Sequence, residues 1–289
     1  MKAVETYIDN IQDLPVLPEI ARKLVTLVDQ PDPDVSEVAN LIQKDPAITA
    51  KVLKLINSGY YTLRKEVISV RQAVILLGME QVRNLVVTTV TVNHFPEKPN
   101  ARIKLIDFWN HSLGVATIAQ SLGEKFGFDN ISDLYLSALL HDIGKIIIQH
   151  YYPLDMVRIF RKIDEEQVPM VDAERMVLGF DHADIGGHMM AKWNFPRAIQ
   201  EAIAHHHSAQ TAKDRLFAAI LNLSDMITKC RLYAVHGDQY TDFIIEDHPS
   251  WQMICQELGN RDVDFVRLLL EMDDEIERAR ELVKQARET

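Results

Sequence analysis

Apolar residues recur at steps of three and four along almost the whole chain, and no segment alternates apolar and polar residues strongly enough to predict a strand. The pattern therefore predicts an all-α protein. Several short helices are predicted in the N-terminal third, because Asp34 and Ser69 have capping-box spacing and Asp45 precedes a proline. Longer helices are predicted over about 103–126, 132–150, 154–166, 172–178, 182–193, 196–207 and 214–235.

One segment interrupts this helical pattern. Residues 93–102, NHFPEKPNAR, contain two prolines and few apolar side chains, so they predict a hinge or a long turn. We therefore predict an N-terminal helical lobe over residues 1–100 and a second helical lobe over 101–235. Residues 236–289 are predicted to form an irregular segment followed by a C-terminal helix.

The C-terminal helix has a short heptad pattern, with apolar residues at alternating steps of four and three. Because fewer than four heptads are present, the pattern favours a terminal helix docked on the core of its own chain. Homodimerisation through this helix is the alternative. The apolar positions are Phe265, Leu269, Met272, Ile276, Ala279, Val283 and Ala286.

Composition narrows the class of protein. A chain of 289 residues with 47% hydrophobic residues can bury a packed core, and its net charge of -11 disfavours binding to DNA or to an anionic membrane. Cys230 and Cys255 form no CxxC pair, so neither a disulfide scaffold nor a cysteine zinc site is predicted. With no signal-peptide pattern and no stretch of about 18 apolar residues, we expect a soluble cytoplasmic protein.

The most informative motif is LLHDIGKIII, in which an apolar helix contains His141, Asp142 and Lys145. Polar groups inside such a helix need partners. One interpretation is a metal site, since neutral imidazole and ionised carboxylate both bind divalent metal ions. The alternative is an ordinary buried ion pair between Asp142 and Lys145, which the dipeptide alone favours because short motifs match by chance.

Further histidines and a second aspartate lie where predicted helices can direct them inward, and they favour the metal site. A single histidine on an apolar helix is more often a core residue with satisfied hydrogen bonds. Several on successive helices are harder to explain in that way, since helical bundles build metal sites from side chains on facing helices. The candidate metal ligands are His111, His141, Asp142, His182, His206, His207 and Asp225.

This set exceeds the four ligands of a closed structural zinc site, so it predicts one octahedral ion with open positions or a bridged pair of ions about 3.5–4 Å apart. Nitrogen and oxygen ligands suit iron, manganese, nickel or zinc, and no organic cofactor is indicated. Phosphoester hydrolysis is the natural chemistry of such a centre. Asp142 and Lys145 are then the candidate catalytic residues, with Lys145 neutralising charge on the phosphate.

Neighbouring polar residues have simpler interpretations. Asp184 is predicted to form a capping box with Asp181. His188 lies six residues after His182 and does not share a helix face with it. His205 is predicted to cap the C-terminus of its helix, which leaves His206 and His207 as the pair of ligands. If the pair is counted from the first histidine of the run, it is His205 and His206 instead. The remaining histidines are predicted to be surface or boundary residues: His94, His150, His236 and His248.

Three N-terminal segments and the ordered histidine and aspartate set together resemble a known family. The segments are LPVLPEIARKLVTLV, VANLIQKDPAITAKVLKLINSGYY and VISVRQAVILLGMEQVRNLVV, and the second half keeps HDIGK intact. Over about residues 11–235 the chain resembles the HDOD domain proteins, a branch of the HD metal-dependent phosphohydrolase superfamily found in bacterial signalling. The resemblance implies a multi-helix HD-superfamily bundle preceded by an N-terminal helical lobe.

The resemblance also implies a function in bacterial signal transduction. HDOD proteins are viewed as relatives in which catalytic residues are often eroded and which act as regulatory modules by binding partners. Because this chain keeps a complete set, an active phosphohydrolase on a nucleotide-type phosphoester is the alternative. Cyclic-di-GMP phosphodiesterases of the HD-GYP branch carry an acidic residue and a GYP loop after the paired histidines, whereas this chain has Ser208 and no such loop. The expected partner is a signalling protein, or a phosphoester or nucleotide ligand.

A third hypothesis is DNA binding, because Gly78 joins two short helical patterns as in a helix-turn-helix. From Arg64 to Arg83 there are four positive and two negative side chains, and a net charge of +2 does not make a phosphate-binding stripe. We expect these two segments to be core helices and regard DNA binding as the least favoured function.

Overall fold

A computed structural model describes residues 2–11, 17–57, 65–230 and 244–259, together with residues 267, 270, 273, 276, 277, 280, 281, 283 and 284 of the C-terminal segment. Within these residues every extended regular element is a helix, so the prediction of an all-α protein is confirmed. The helices pack around one continuous apolar core that runs from Val4 to Val283.

Six helices form the N-terminal part of the sequence. Five of them pack together, with α2 on α3 and α6, α3 on α5, and α4 on α6, whereas α1 packs against α12 (His182–Lys192) of the second half. Their start signals act largely as predicted. Asp45 accepts hydrogen bonds from the amides of Ala47 and Ile48, and Ser69 accepts one from Gln72. The bounds are α1 (Lys2–Asp9), α2 (Glu19–Val28), α3 (Val35–Gln43), α4 (Pro46–Leu55), α5 (Val70–Leu77) and α6 (Met79–Val92).

The pair α5 and α6 is part of the core. Gly78 joins them with a φ of 87°, a conformation that residues with a Cβ rarely adopt. Every residue of α6 from Val82 to Val92 is buried. A helix buried on all sides cannot present a face to a DNA groove, which favours the interpretation of these segments as core helices.

The second half is built around α7, whose middle is buried on all sides. It packs against α8 and α14, while α12 packs against α9 and α13. The bounds are α7 (Leu105–Phe126), α8 (Ile131–Leu140), α9 (Ile143–Tyr151), α10 (Pro153–Glu166), α11 (Met170–Leu178), α12 (His182–Lys192), α13 (Arg197–Ala204), α14 (Arg215–Thr228) and α15 (Pro249–Leu258).

Two predicted helices are shorter than expected. The helix predicted over 132–150 is interrupted at His141 and Asp142, and the one predicted over 196–207 ends at Ala204. The helix predicted over 214–235 ends at Thr228 as an α-helix, and residues 231–243 lie outside the described part of the chain. The first interruption falls on the candidate ligands His141 and Asp142, and the second is followed by the turn that carries His206 and His207.

The predicted long turn is present between α6 and α7. Its end is fixed to α9, because the Gln149 side chain accepts a hydrogen bond from the Ile103 amide at 2.7 Å and donates one to its carbonyl at 2.8 Å. The buried Arg83 connects helices on the two sides of this turn. It forms ion pairs with Asp29 at 2.8 Å and with Asp133 at 3.1 Å. The division of the chain into lobes at this turn stays a prediction.

The heptad pattern of the C-terminal segment falls partly on described residues. Ile276 and Val283 are buried in the core of the same chain. The other five positions of the pattern lie outside the described residues. None of the helices in the described part of the chain is long and apolar enough to span a membrane.

Candidate metal centre

The structure brings all seven candidate ligands together in the interior of the helical bundle. They come from separate elements that pack around α7, α9 and α12. His111 lies on α7, His141 and Asp142 lie between α8 and α9, His182 begins α12, His206 and His207 follow α13, and Asp225 lies on α14.

The interruption between α8 and α9 allows two adjacent residues to face the same centre. Successive residues of an α-helix point about 100° apart, so an unbroken helix would direct His141 and Asp142 to different sides. Asp142 instead has φ −95° and ψ 5°, outside the helical range. Its carboxylate and the His141 imidazole then approach to 3.4 Å.

The turn after α13 likewise allows two adjacent histidines to face the centre. His205 is the C-cap of α13 and its side chain lies near Glu201, at 3.8 Å, and Thr211. His207 turns inward, where its Nε2 lies 2.8 Å from Nε2 of His182. The pair that faces the cluster is therefore His206 and His207, and His205 lies outside it.

The ligand atoms form two overlapping groups that share Asp142. One group contains Asp142, His182, His206 and His207, and the other contains His111, His141 and Asp142, with the ligand atoms of each group within 4.8 Å of one another. Asp225 Oδ1 extends the second group, at 3.2 Å from His111 Nε2 and 3.7 Å from His141 Nε2.

Several of these atoms are buried without a hydrogen bond. His141, Asp142 and His206 have no exposed surface, and Asp225 is 1% exposed. Within the described part of the chain, four of their atoms have no hydrogen-bond partner: Nε2 of His141, Nε2 of His206, Oδ1 of Asp142 and Oδ1 of Asp225. Buried polar atoms rarely lack a partner, and a metal cation would satisfy these atoms together. The donor set therefore fits a divalent metal ion.

The two Nδ1 atoms of His141 and His206 fix which ring nitrogen faces the cluster. They lie 2.7 Å from the backbone carbonyl oxygens of Ala138 and Ile203, respectively. A neutral ring that donates from Nδ1 leaves Nε2 as the acceptor, which is the form that binds metal. The backbone thus directs both Nε2 atoms to the centre.

The electrostatics of the cluster reflect close contact between imidazoles and carboxylates. Burial lowers the pKa of His141, but Asp142 and Asp225 raise it to about 9. Burial likewise lowers the pKa of His182, and Glu174 and Asp142 raise it to about 10. For His206, burial and the neighbouring His141 and His182 together lower the pKa to about 3.

Each aspartate is held as a carboxylate. Burial raises the pKa of Asp142, but His141 and Lys145 hold it well below its usual range. Burial also raises the pKa of Asp225, and Lys229 keeps it well below its usual range. Lys145 Nζ donates to Asp142 Oδ2 at 2.8 Å, and Lys229 Nζ donates to Asp225 Oδ2 at 2.7 Å.

Lys145, the candidate catalytic cation, has no exposed surface in this arrangement. Its ammonium is committed to Asp142, so it compensates the charge of that carboxylate and does not face solvent. The ion pair between Lys145 and Asp142 is therefore present beside a gathered ligand set, and the metal site stays a prediction.

Two residues that contact the cluster were not identified from the sequence. Lys229 follows Asp225 at a spacing of four, the usual spacing of an ion pair on a helix, and that signal was available. Glu174 is fully buried beside His182, and the available signal was an acidic residue between the apolar positions of a short helix.

The remaining polar residues lie away from the cluster. Asp184 forms a capping box with Asp181 at the start of α12, as predicted. His248 is the N-cap of α15, and His94 packs edge-on against Phe95. His236 lies outside the described residues.

A family model and a solved structure match most of the chain. The model of the HDOD domain matches residues 14–209. The crystal structure of an HDOD domain protein with unknown function from Geobacter sulfurreducens is 28% identical, covers 99% of this chain and 97% of its own, and has a TM-score of 0.85.

Two further proteins are similar at lower identity. The crystal structure of a candidate phosphohydrolase from Shewanella amazonensis SB2B is 25% identical, covers 98% of each chain and has a TM-score of 0.77. An uncharacterized protein of Treponema pallidum (strain Nichols) is 25% identical over 214 residues, which are 74% of this chain. The chain spans 41% of the length of that curated relative.

Proposed function

Because the chain belongs to the HDOD domain family, we propose that it is a signal-transduction module whose buried histidine and aspartate cluster holds a divalent metal ion. The observation that carries the proposal is the group of buried ligand atoms on His141, Asp142, His206 and Asp225 that lack hydrogen bonds among the described residues. Leaving them so would cost the protein several kcal/mol, roughly 1–3 kcal/mol for each atom.

The two overlapping groups of ligand atoms suggest two adjacent metal positions. One would be held by His182, His206 and His207, and the other by His111, His141 and Asp225, with Asp142 between them. Imidazole and carboxylate ligands suit iron, manganese, nickel or zinc. When bound, such an ion would supply Lewis-acid chemistry toward water or a phosphoryl oxygen.

The burial of the site supports a regulatory role. His111, His141, His182 and His206 are fully buried, and so is Lys145, which binds Asp142. A phosphoester could reach neither this ammonium nor most of the ligand atoms without movement of the surrounding helices. A metal in such a place contributes to folding and fixes the relative position of the helices. A partner would then bind the surface that these helices form. A signalling protein is the proposed partner.

Metal content of the purified protein tests the proposal. The parent protein is expected to contain one or two equivalents of a transition metal, and Asp142→Ala is expected to lose them while keeping its helical circular dichroism. His206→Ala is expected to behave in the same way. His205→Ala is the matched control, because this neighbouring imidazole lies outside the cluster. Absence of metal from the parent protein after reconstitution, or full retention by Asp142→Ala, would contradict the proposal.

A phosphohydrolase is the second candidate function. It is favoured by the completeness of the ligand set and by the similarity to the Shewanella amazonensis protein. Hydrolysis of bis(p-nitrophenyl) phosphate by the metal-loaded protein tests it. A regulatory module is expected to give the background rate with parent protein and with Asp142→Ala alike. Turnover that disappears in Asp142→Ala and persists in His205→Ala would establish the enzyme instead.

A further inference from the structure

Glu174 is a carboxylate buried in the interior of the protein. It lies on the inner face of α11, next to Met170 and Ala173, and has no exposed surface. A carboxylate in such a place is costly unless its oxygens receive hydrogen bonds. Its partners therefore indicate why an acidic residue stands there.

Among the described residues, the hydrogen bonds to Glu174 reach one oxygen, Oε2, and they come from one residue, His182. The backbone amide of His182 donates to Oε2 at 2.9 Å, and the ring Nδ1 lies 2.6 Å from the same oxygen. His182 is the first residue of α12, where backbone amides have no partner within the helix. One carboxylate oxygen thus fixes both the backbone and the imidazole of this residue.

The contact at Nδ1 determines what the other ring nitrogen does. In the neutral form that binds a metal, the ring donates from Nδ1 to Glu174 and Nε2 is the acceptor. This Nε2 lies 3.0 Å from Asp142 Oδ1 and 2.8 Å from His207 Nε2. Nε2 of His182 is therefore directed at the group formed with Asp142, His206 and His207.

His182 differs in this respect from two other histidines of the cluster. His141 and His206 place Nδ1 against neutral backbone carbonyls. An anionic partner at Nδ1 makes an imidazole a stronger donor to a metal than a carbonyl does, and it also holds the ring in one orientation. His182 is accordingly a stronger nitrogen donor than His206 in the same group.

We propose that Glu174 is a positioning residue that orients His182 and sets the affinity of the metal position formed by Asp142, His182, His206 and His207. This inference rests on the proposed metal centre. The position formed by His111, His141 and Asp225 does not include His182, so its affinity is expected to depend less on Glu174.

The test is a titration of the apoprotein with Co²⁺, followed by visible absorption. Glu174→Gln keeps an oxygen that can accept from Nδ1 but removes the negative charge, and Glu174→Leu removes both. One binding event is expected to weaken about 10–100-fold in Glu174→Gln, with a changed Co²⁺ spectrum, and further in Glu174→Leu. A second event, where present, is expected to weaken less than the first.

Met170→Ala is the matched control, because Met170 is fully buried on the same helix and is apolar. It is expected to lower thermal stability and leave the Co²⁺ titration unchanged. The inference is wrong if Glu174→Gln lowers thermal stability but gives a Co²⁺ titration and spectrum that superpose on those of the parent. Glu174 would then have a structural role only. A parent protein that binds no Co²⁺ would instead contradict the metal centre itself.

Discussion

Each aspartate of the cluster contacts both a lysine and histidines. In Asp142, Oδ2 binds Lys145 and Oδ1 lies 3.0 Å from His182. In Asp225, Oδ2 binds Lys229 and Oδ1 lies 3.2 Å from His111. A buried charge without a partner is strongly unfavourable, so the lysines allow both carboxylates to stay ionised in the interior. In Asp225 the oxygen not bound to lysine, Oδ1, faces the histidines. In Asp142 both oxygens face histidines, because the lysine-bound Oδ2 also lies 3.4 Å from His141 Nε2.

Gly144 makes the approach of the ligand-bearing helices possible. It lies at the start of α9, and a Cβ at this position would overlap the carbonyl group of His182 on α12. Because the obstacle is backbone, it cannot move as a flexible side chain would. The absence of a side chain at Gly144 therefore allows Asp142 and His182 to approach one another.

Gly144→Ala is expected to push α9 away from α12 and to weaken metal binding at least about tenfold, with a loss of stability of about 1–3 kcal/mol from overpacking. Co²⁺ titration and urea unfolding of the apoprotein measure the two effects. Gly123→Ala is the control, because its Cβ would meet only side-chain atoms, the nearest being Cδ2 of Leu134 at 3.0 Å. Equal metal affinity in the two variants would show that this close approach is not needed for the site.

At the scale of the elements, the apolar pattern predicted most helices of the second half, but not where two of them are interrupted. The residues 132–150 have an apolar pattern that is continuous through His141 and Asp142, so periodicity predicts one helix. The interruption is favoured by contacts that the pattern does not contain. Asp142 contacts Lys145 and the cluster histidines, and these contacts need its non-helical conformation.

The candidate ligands themselves could be chosen from the sequence, because each is a polar residue on an otherwise apolar helix. Their supporting residues could not all be chosen in this way. Glu174 lies eight positions before His182, and only the packing of α11 against the start of α12 brings the two together. The choice between His205 and His207 likewise depends on how the turn after α13 is directed.

Arg83 links three elements that lie far apart in the sequence. It donates from α6 to Asp29 at the end of α2 and to Ser132 and Asp133 in the first turn of α8. Buried ion pairs of this kind contribute little to net stability compared with apolar packing, but they fix one arrangement of the elements that they join. The N-terminal helices are thereby held in a defined position relative to α8, whose C-terminal end leads directly into His141.

At the scale of the whole molecule, the C-terminal segment completes the core of its own chain. Ile276 is 1% exposed and Val283 has no exposed surface, although both belong to the heptad pattern that a dimer would use. Leu270 in the same segment is 65% exposed. The segment therefore buries part of the heptad face against the rest of the chain, which favours docking over dimerisation.

Ile276→Ala is expected to lower the free energy of unfolding by about 2–5 kcal/mol, because it removes buried methyl groups from the core. Leu270→Ala, at an exposed position of the same segment, is expected to change it by less than about 0.5 kcal/mol. Urea unfolding measures both, and light scattering is expected to give the same mass for the parent and the two variants. If Ile276→Ala instead halves the mass and leaves the stability of each chain unchanged, Ile276 lies in a dimer interface and the heptad pattern acts between chains.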